Sequence, residues 1–224
     1  MIKHIHVTEC DSTQDVLKEQ LELGTDSSLL VSCENQTAGR GRGVNKWQAL
    51  PGTLCFSLSI APHKVLSYTA LELSVIIAQF FEHKGRKLRL KWPNDLWDER
   101  DRKCGGILVQ GSQNNLIAGI GINLYCEDPQ FGSIFPGPFD LDKKTWAREL
   151  ADYIHANRFQ ETSALRSEWL KRCGHLNQMV RVTEGQEVIE GIFQGLGEHG
   201  EAEICRDTRI TRVYNGSLRL SSQG

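Results

Sequence analysis

The sequence predicts an α+β fold in which a mixed β-sheet flanked by helices is followed by a small all-β domain. Up to Gly174, apolar strand patterns alternate with amphipathic helix patterns, as in a sheet that is covered by helices. After Gly174, short alternating strands are separated by Glu-Gly, Gly-Glu-His-Gly and Asn-Gly turns, which is typical of a small β-barrel. This change of pattern predicts two domains, residues 1–174 and residues 175–224.

The first elements of the chain each carry their own signal. Residues 2–8 and 29–34 have the composition of strands, and between them a helix begins at the N-cap residue Ser12 and ends at Gly24. Residues 53–60 alternate strictly between large apolar side chains and small or polar ones. We therefore predict a strand there, with one face in the apolar core.

The later elements are predicted in the same way. A long apolar helix begins at Ser67 and ends near Gly85, and a following strand ends in the turn Pro93-Asn94-Asp95. This strand covers residues 88–92. The other predicted elements are a hairpin of two apolar strands around residues 112–115 and helices at residues 145–158 and 161–172. No internal repeat or low-complexity segment interrupts this series.

Composition narrows the class of protein. Hydrophobic residues make up 39% and charged residues 24% of the 224 residues, as in soluble globular proteins, and no apolar run is long enough for a membrane span. The N-terminus has no signal-peptide pattern and the seven cysteines include no CxxC pair, so we predict a cytoplasmic protein with reduced thiols. A net charge of −2 argues against broad charge-driven binding to nucleic acid. The pairs His4–His6 and Cys173–His175 lack further ligands at zinc spacing, which predicts no metal-ligating residues.

A segment rich in glycine and arginine follows the second strand. Residues 39–47 have no helical or strand periodicity, so the burial of an apolar face does not explain their composition. Glycines let the backbone approach a ligand closely, the guanidinium groups of Arg40 and Arg42 suit phosphate or carboxylate, and Trp47 offers a flat face to a heterocycle. The alternatives are a solvated loop or an RNA-binding arginine–glycine segment, although the latter usually has more repeats.

Two more motifs contain residues that could take part in chemistry. Asn94 and Asp95 end a strand in the motif KWPND, where their oxygens could hold Mg²⁺, and the alternative is a turn without a ligand. Lys103 precedes Gly105 and Gly106, and two glycines in a strand leave room for a molecule against the backbone. The alternative for these glycines is a bulge or tight strand packing.

Together, the order and spacing of these motifs resemble the biotin–protein ligases, also called biotin–[acetyl-CoA-carboxylase] ligases. The resemblance covers nearly the whole chain, and it implies a class II synthetase-like catalytic domain followed by an SH3-like β-barrel. The motifs that carry it are Ser-Thr-Gln at 12–14, GRGRG at 39–43 with Trp47, KWPND at 91–95, RKCGGIL at 102–108 and GIGIN at 119–123.

The resemblance implies an enzyme that works in two steps. Biotin and MgATP would give biotinyl-5′-AMP and pyrophosphate, and a lysine of a biotin carboxyl carrier protein domain, of acetyl-CoA carboxylase or a similar protein, would then accept the biotin. ATP and Mg²⁺ are the implied cofactors, and the family also suggests a homodimer. Only eleven residues precede Ser12, so we expect the monofunctional ligase without the DNA-binding domain of the repressor members.

The resemblance also implies roles for individual residues. Lys103 and Arg42 would act in catalysis, because positioned cations reduce the repulsion between a carboxylate and a phosphate. The residues implied in biotin binding are Ser12, Thr13, Gln14, Gln36, Arg40, Gly41, Arg42, Lys103, Gly105 and Gly106. The residues implied in nucleotide binding are Arg40, Arg42, Trp47, Asn94, Lys103 and Asn123. The glycine–arginine segment would form a mobile lid that excludes water from the activated intermediate.

The sequence departs from the family pattern at two positions, and two alternative functions remain open. Val44 stands where the family has glycine, and Asn45 where it has a cation, which predicts a difference from the family in phosphate binding or in the flexibility of the lid. A lipoate– or octanoate–protein ligase or transferase on the same fold is the nearest alternative, but it has no use for a Ser-Thr-Gln motif that binds a ureido group. A non-enzymatic adenylate- or RNA-binding module is the alternative from another class.

Overall fold

The computed structural model of the chain describes residues 2–24, 28–112 and 115–221. The strands in these residues are β1 (Lys3–Cys10), β2 (Leu29–Gln36), β3 (Thr53–Ile60), β4 (Arg89–Lys91), β5 (Asp95–Trp97), β6 (Lys103–Ser112), β7 (Asn115–Asn123), β8 (Met179–Glu184), β9 (Glu187–Leu196), β10 (Ala202–Arg206), β11 (Arg209–Val213) and β12 (Ser217–Leu220). The helices are α1 (Thr13–Glu22), α2 (Thr69–His83), α3 (Lys143–Ala156) and α4 (Thr162–Arg172), with a short 3₁₀ helix (Leu66–Tyr68) directly before α2. None of the described helices is both long and apolar enough to cross a membrane.

Seven strands form one mixed sheet in the order β1-β2-β3-β7-β6-β5-β4. β1 and β2 are parallel and are connected through α1, whereas the other neighbours are antiparallel. α1 covers one face of the sheet at β2 and β3; on the opposite face, α3 packs on β2 and β3, and α2 packs on β4 and β6. The predicted mixed sheet flanked by helices is confirmed. β6 and β7 form the predicted hairpin, although its tip, residues 113–114, lies outside the described residues.

β3 is buried on both faces even though one of its faces is polar. Its large apolar side chains lie in the main core with α2 and α3. On the other face, the Ser57 hydroxyl shares a hydrogen bond of 2.7 Å with the Thr13 hydroxyl, and the Ser59 hydroxyl accepts one of 2.8 Å from the backbone N–H of Leu29. Buried hydroxyls are tolerated because they are hydrogen-bonded. The polar face of β3 thereby fixes the start of α1.

The ends of α1 and α2 agree with the sequence pattern except in two details, and α3 lies two residues earlier than the helix predicted at residues 145–158. α1 begins after Ser12 as predicted, but the Ser12 side chain forms no capping hydrogen bond. Ser67 lies in the 3₁₀ helix, so that α2 begins at Thr69. Gly24 and Gly85 follow α1 and α2 with φ of 73°, the left-handed conformation that favours glycine after a helix.

The remaining strands form a second, antiparallel sheet in the order β11-β10-β9-β8-β12. The predicted all-β domain is therefore present as an open sheet, and its described strands do not close into a barrel, because β11 and β12 lie at opposite edges. An open sheet needs another surface to cover its apolar face. Here the first sheet and its helices supply that surface.

The two sheets meet through buried polar and apolar contacts. The indole N–H of Trp92 donates to the carbonyl of Gly200 at 3.0 Å, and the hydroxyl of Tyr68 donates to the carbonyl of Gly197 at 2.7 Å. One continuous apolar core contains residues of both sheets. The division into two domains at residue 174 stays a prediction, and this junction implies that the two sheets stabilise each other.

His175 is buried at this junction and held in its neutral form. Its ring centroid lies 4.3 Å from that of Phe193 and 6.0 Å from that of Trp169, and the residue has 0% exposure. Burial, with a further contribution from the charges of Lys91 and Arg89, lowers the pKa of His175 to about 3. The unfolded chain binds this proton with a pKa of about 6.5, so protonation favours unfolding between the two values.

We expect the free energy of unfolding to fall as the pH is lowered from about 6.5 towards 3, in part because of His175. The variant His175→Phe should lose less stability over this range, because phenylalanine keeps the ring packing and binds no proton. Urea unfolding across the range measures the slope, with His199→Gln as the control at an exposed position. Equal slopes for His175→Phe and the wild type would contradict the assignment.

Candidate active site

A cavity of about 860 Å³ opens between the start of α1, the segment 39–47, the strands β4 to β7 and the turn before β12. It brings together all but two of the site residues predicted from the sequence. Those that line it are Ser12, Thr13, Gln14, Gln36, Arg40, Gly41, Arg42, Trp47, Asn94, Lys103 and Gly106. Segments that are far apart in the chain thus meet at one site.

The Ser-Thr-Gln motif forms a buried polar wall of the cavity. The backbone N–H of Thr13 donates to the side-chain oxygen of Gln36 at 3.0 Å, and the amide of Gln14 donates to the carbonyl of Leu108 at 3.1 Å. Gln14 packs so closely on β7 that a Cβ at Gly119 would lie 2.6 Å from its amide carbon. These contacts fix the donors and acceptors of this wall before any ligand arrives.

Two lysines of the cavity share one carboxylate. Lys103 Nζ lies 2.6 Å from Asp95 Oδ1, and Lys91 Nζ lies 2.8 Å from Asp95 Oδ2. Burial by itself raises the pKa of Asp95, but the charges of Lys103 and Lys91 outweigh it and hold this pKa below its usual value. Asp95 is therefore ionised, and it holds both ammonium groups at the cavity wall.

Trp47 and two glycines form the floor beside Lys103. A Cβ at Gly121 would lie 2.5 Å from the Trp47 ring, so only glycine leaves room for the indole there. A Cβ at Gly106 would lie 3.6 Å from Lys103 Nζ and 3.8 Å from the Trp47 ring, which are ordinary contact distances. Gly106 thus faces the cavity, as the sequence predicted.

Gly105 and Asn123 do not line the cavity. Gly105 is buried, and a Cβ there would lie 2.9 Å from both the Gly121 carbonyl oxygen and a Leu96 methyl group, because neighbouring residues of a strand face opposite sides. Asn123 is 2% exposed; its side-chain oxygen accepts from the Thr53 hydroxyl at 2.9 Å. Its amide nitrogen donates to a backbone carbonyl at 3.2 Å. Roles of these two residues in ligand binding stay predictions without a contact to the cavity.

The glycine–arginine segment folds as a short hairpin at the cavity mouth. The Trp47 N–H donates to the Gly39 carbonyl at 2.9 Å, and the Gly41 N–H donates to the Asn45 carbonyl at 2.8 Å. At the tip of the hairpin, Gly43 has a positive φ of 62°. Val44, which stands where the family has glycine, does not have a left-handed backbone conformation. Val44 is 99% exposed and does not line the cavity.

The two arginines of the hairpin have different partners. Arg40 forms a two-pronged ion pair with Asp15 of α1, with both nitrogen–oxygen distances at 2.8 Å. Arg42 donates to the Gly216 carbonyl at 3.0 Å and to the Asn215 side-chain oxygen, both in the turn before β12. The hairpin is therefore attached to α1 on one side and to the second sheet on the other.

The lining is suited to a ligand with a neutral polar part and anionic groups, because hydroxyl and amide groups lie beside Lys91, Lys103 and two arginines. It does not fit a Mg²⁺ held by the protein itself. The carboxylate of the lining is Asp95, and both its oxygens are paired with lysines. No group of three or more His, Cys, Asp or Glu suited to a metal occurs in residues 2–24, 28–112 and 115–221.

Sequence reasoning missed several residues and contacts of this site. Asp95 was selected as an oxygen ligand for Mg²⁺ together with Asn94, but its pairing with lysines was missed, and so was Lys91. Lys91 and Asp95 face each other across β4 and β5, and this pairing of opposite charges in the KWPND motif was the signal for a shared ion pair. Gly119 and Gly121 belong to the GIGIN motif, from which only the final asparagine was selected. Asn215 was predicted only as part of an Asn-Gly turn, and nothing in the local sequence indicated that this turn reaches the cavity.

Comparisons with known proteins agree with this geometry. Residues 7–126 match the Biotin/lipoate A/B protein ligase family. The bifunctional ligase/repressor BirA of Escherichia coli is 28% identical over 235 residues, which cover 95% of this chain and 72% of that protein. The biotin–[acetyl-CoA-carboxylase] ligase of Mycobacterium tuberculosis is 27% identical over 221 residues, which cover 90% of this chain and 82% of that protein.

A solved structure extends the similarity to the whole fold. The biotin protein ligase from Aquifex aeolicus, in complex with biotin and ATP, matches with a TM-score of 0.86 and 27% identity. The match covers 99% of this chain and 100% of that one, and so includes the second sheet. The family match spans more than half of the chain, including the lysine–aspartate pair and the polar wall. The chain belongs to the biotin/lipoate A/B protein ligase family.

Proposed function

We propose that this protein activates biotin with ATP as biotinyl-5′-AMP and transfers the biotin to a lysine of a carrier protein. One observation carries the proposal: Lys103, held by Asp95, lies in the same cavity as the buried Ser-Thr-Gln wall and the two arginines. The names of similar proteins support it, since the Aquifex protein is described with biotin and ATP and the Mycobacterium protein as a biotin–[acetyl-CoA-carboxylase] ligase.

Biotin would lie with its ureido head at the polar wall and its carboxylate near Lys103. Ser12, Thr13 and Gln14 are all buried, and hydrogen bonds made away from water discriminate strongly between ligands that do and do not satisfy them. Gly106 leaves space for the ring system above β6. The ring face of Trp47 would contact the ligand from the floor.

In the first step, a biotin carboxylate oxygen forms a bond to the α-phosphorus of ATP, and the bond from this phosphorus to pyrophosphate breaks. Two anions must approach each other, so cations placed before the reaction lower the barrier. Lys103 and Arg42 are the cations that we assign to this task. Mg²⁺ enters the proposal as an ion bound to the phosphates of ATP, as is usual for nucleotide substrates.

Because Asp95 pairs with two lysines, Lys103 can move towards the substrates at a small cost in free energy. When Lys103 exchanges its contact with Asp95 for the anions of the substrates, the carboxylate keeps its ion pair with Lys91 at 2.8 Å. A buried carboxylate without any partner would carry a large desolvation penalty. The ion pair of Lys91 with Asp95 therefore allows Lys103 to leave Asp95 and contact the substrates.

In the second step, the ε-amine of a carrier lysine attacks the acyl carbon of biotinyl-5′-AMP, and AMP leaves as the amide bond forms and the amine loses a proton. The acyl-adenylate is prone to hydrolysis, so the hairpin over the cavity mouth would exclude water until the carrier arrives. We propose a biotin carboxyl carrier domain as the acceptor. A homodimer and a cytoplasmic location stay predictions.

Biotin-dependent exchange of labelled pyrophosphate into ATP tests the proposal. We expect exchange with biotin and none with lipoate or octanoate, because the buried amides and hydroxyls match a ureido group and not an alkyl chain or a dithiolane ring. Exchange with lipoate alone would indicate the nearest alternative in the family. The absence of exchange with all three acids would indicate a protein that binds without activating.

A further inference from the structure

The turn between β11 and β12 reaches the cavity although it belongs to the second sheet. Asn215, Gly216, Ser217 and Leu218 are part of the cavity lining. The guanidinium of Arg42 donates from one terminal nitrogen to the Gly216 carbonyl at 3.0 Å and from the other to the Asn215 side-chain oxygen. Residues more than 170 positions apart in the chain therefore meet at the cavity mouth.

The turn holds these two acceptors in a fixed arrangement. Gly216 has φ of 137°, and a Cβ there would lie 2.7 Å from the Thr183 carbonyl oxygen, so other residues are excluded. The Asn215 side-chain oxygen also accepts from the Gly216 N–H at 2.9 Å, which orients it. Leu218, with 1% exposure, anchors β12 by pairing with Val182 of β8. The acceptors are thus in place before Arg42 contacts them.

The contact holds Arg42 at the reaction centre. Arg42 and Asp95 line the same cavity, and Asp95 binds Lys103 at 2.6 Å. Burial lowers the pKa of Arg42 and the charge of Asp95 raises it, so the two groups interact electrostatically. A guanidinium has five N–H groups, and the contact with the turn uses one on each terminal nitrogen. The others remain able to donate to a phosphate.

Without this contact, Arg42 would have little to define its position. It lies on a hairpin whose tip is solvated, as the 99% exposure of Val44 shows. A long side chain on such a segment samples many rotamers, and fixing one of them costs entropy at the moment of ligand binding. A partner outside the hairpin removes part of this cost in advance.

We infer that Asn215 is a positioning residue, which orients Arg42 so that its remaining N–H groups face the phosphates of ATP and of the acyl-adenylate. The inference rests on the proposed function and gives the second sheet a defined part in it. Asn215 itself need not touch the substrate. It acts through the arginine, and it links the C-terminal sheet to the retention of the activated intermediate.

The variant Asn215→Ala tests this role. We expect adenylate formation to slow by about 10-fold, the effect of losing one hydrogen bond to a charged group, while biotin affinity in the absence of ATP stays unchanged. Release of the acyl-adenylate should rise, seen as biotin on lysines of albumin added beside the carrier. Asn215→Asp keeps an acceptor at the same place and should restore the wild-type rate. Arg219→Ala, at an exposed position of β12 outside the cavity, is the matched control.

A double-mutant cycle separates positioning from a general structural effect. In the background Arg42→Ala, the further change Asn215→Ala should have no additional effect, because the residue through which it acts is gone. A full 10-fold loss in that background, or a wild-type rate for Asn215→Ala alone, would overturn the inference. So would failure of Asn215→Asp to restore the rate.

Limited trypsin digestion tests the contact between Arg42 and Asn215 in an assay that does not depend on ligase activity. Cleavage after Arg42 in the ligand-free protein should be faster in Asn215→Ala than in Arg219→Ala, because the arginine is released. If this difference appears but the wild type shows no biotin-dependent exchange, the contact is right and the proposed function is wrong. Equal cleavage rates would refute the contact whatever the activity.

Discussion

Replacing Lys103 by alanine is expected to lower the rate of biotin-dependent adenylate formation by about 100- to 1000-fold. The ammonium group lies 2.6 Å from Asp95 and would lie 3.6 Å from a Cβ at Gly106, so it stands beside the space assigned to biotin. Without it, the approach of carboxylate and phosphate loses a positioned charge. The expected loss corresponds to about 2.7–4 kcal/mol of transition-state stabilisation.

The same substitution should leave the fold intact. Asp95 keeps its ion pair with Lys91 at 2.8 Å, so no buried carboxylate is left without a partner. The Lys103 side chain is already 46% exposed, and its removal creates no cavity in the apolar core. We therefore expect the pyrophosphate exchange assay to show a large loss of rate, and the melting curve to show a nearly unchanged melting temperature.

Lys87→Ala is the matched control, because Lys87 is exposed and lies outside the cavity. It should keep the wild-type exchange rate. An exchange rate for Lys103→Ala within a few-fold of wild type would rule out this lysine as the cation of the reaction. A melting temperature far below that of wild type would instead mean that the lysine holds the β5–β6 region together.

Replacing Gly106 by valine is expected to raise the dissociation constant for biotin by about 10- to 100-fold or more. The Cβ itself fits, at 3.6 Å from Lys103 Nζ and 3.8 Å from the Trp47 ring, so the backbone need not move. The two methyl groups beyond it would occupy the cavity. Overfilling a packed space costs about 1–3 kcal/mol, which is the size of this affinity loss.

Gly111→Val provides the control for the strand. Gly111 lies on the same strand β6, has no atom within 4 Å of an added Cβ and has no positive φ. Titration calorimetry should show wild-type biotin affinity for Gly111→Val and strongly weakened binding for Gly106→Val. Equal affinities of both variants and the wild type would place the biotin site elsewhere, and equal losses in both would assign the effect to the strand.

The local sequence determined most of the secondary structure and its order. The strict alternation over 53–60 is found as β3, and the glycines at 24 and 85 end their helices in the left-handed conformation. The change of composition after Gly174 is found as a second sheet. Such features depend on contacts between near neighbours, which the sequence displays directly.

All but two of the site residues selected from the sequence motifs line the cavity, because residue types that suit an anion or a polar head are uncommon in plain structural segments. The motifs did not resolve which of two adjacent residues faces the ligand. Gly106 lines the cavity and Gly105 packs inside the sheet, and a shift of one residue in register would exchange them. The motif carries both glycines, but only the sheet pairing distinguishes them.

Only the tertiary structure decided which charges meet. The ion pairs of Asp95 depend on β4, β5 and β6 lying side by side, and the contact of Arg42 with Asn215 depends on how the second sheet packs on the first. The second sheet shares one apolar core with the first sheet and its helices, and this packing also depends on contacts between distant parts of the chain. Local patterns encode the period and polarity of an element, whereas contacts between distant elements depend on orientation and register that the whole core sets together.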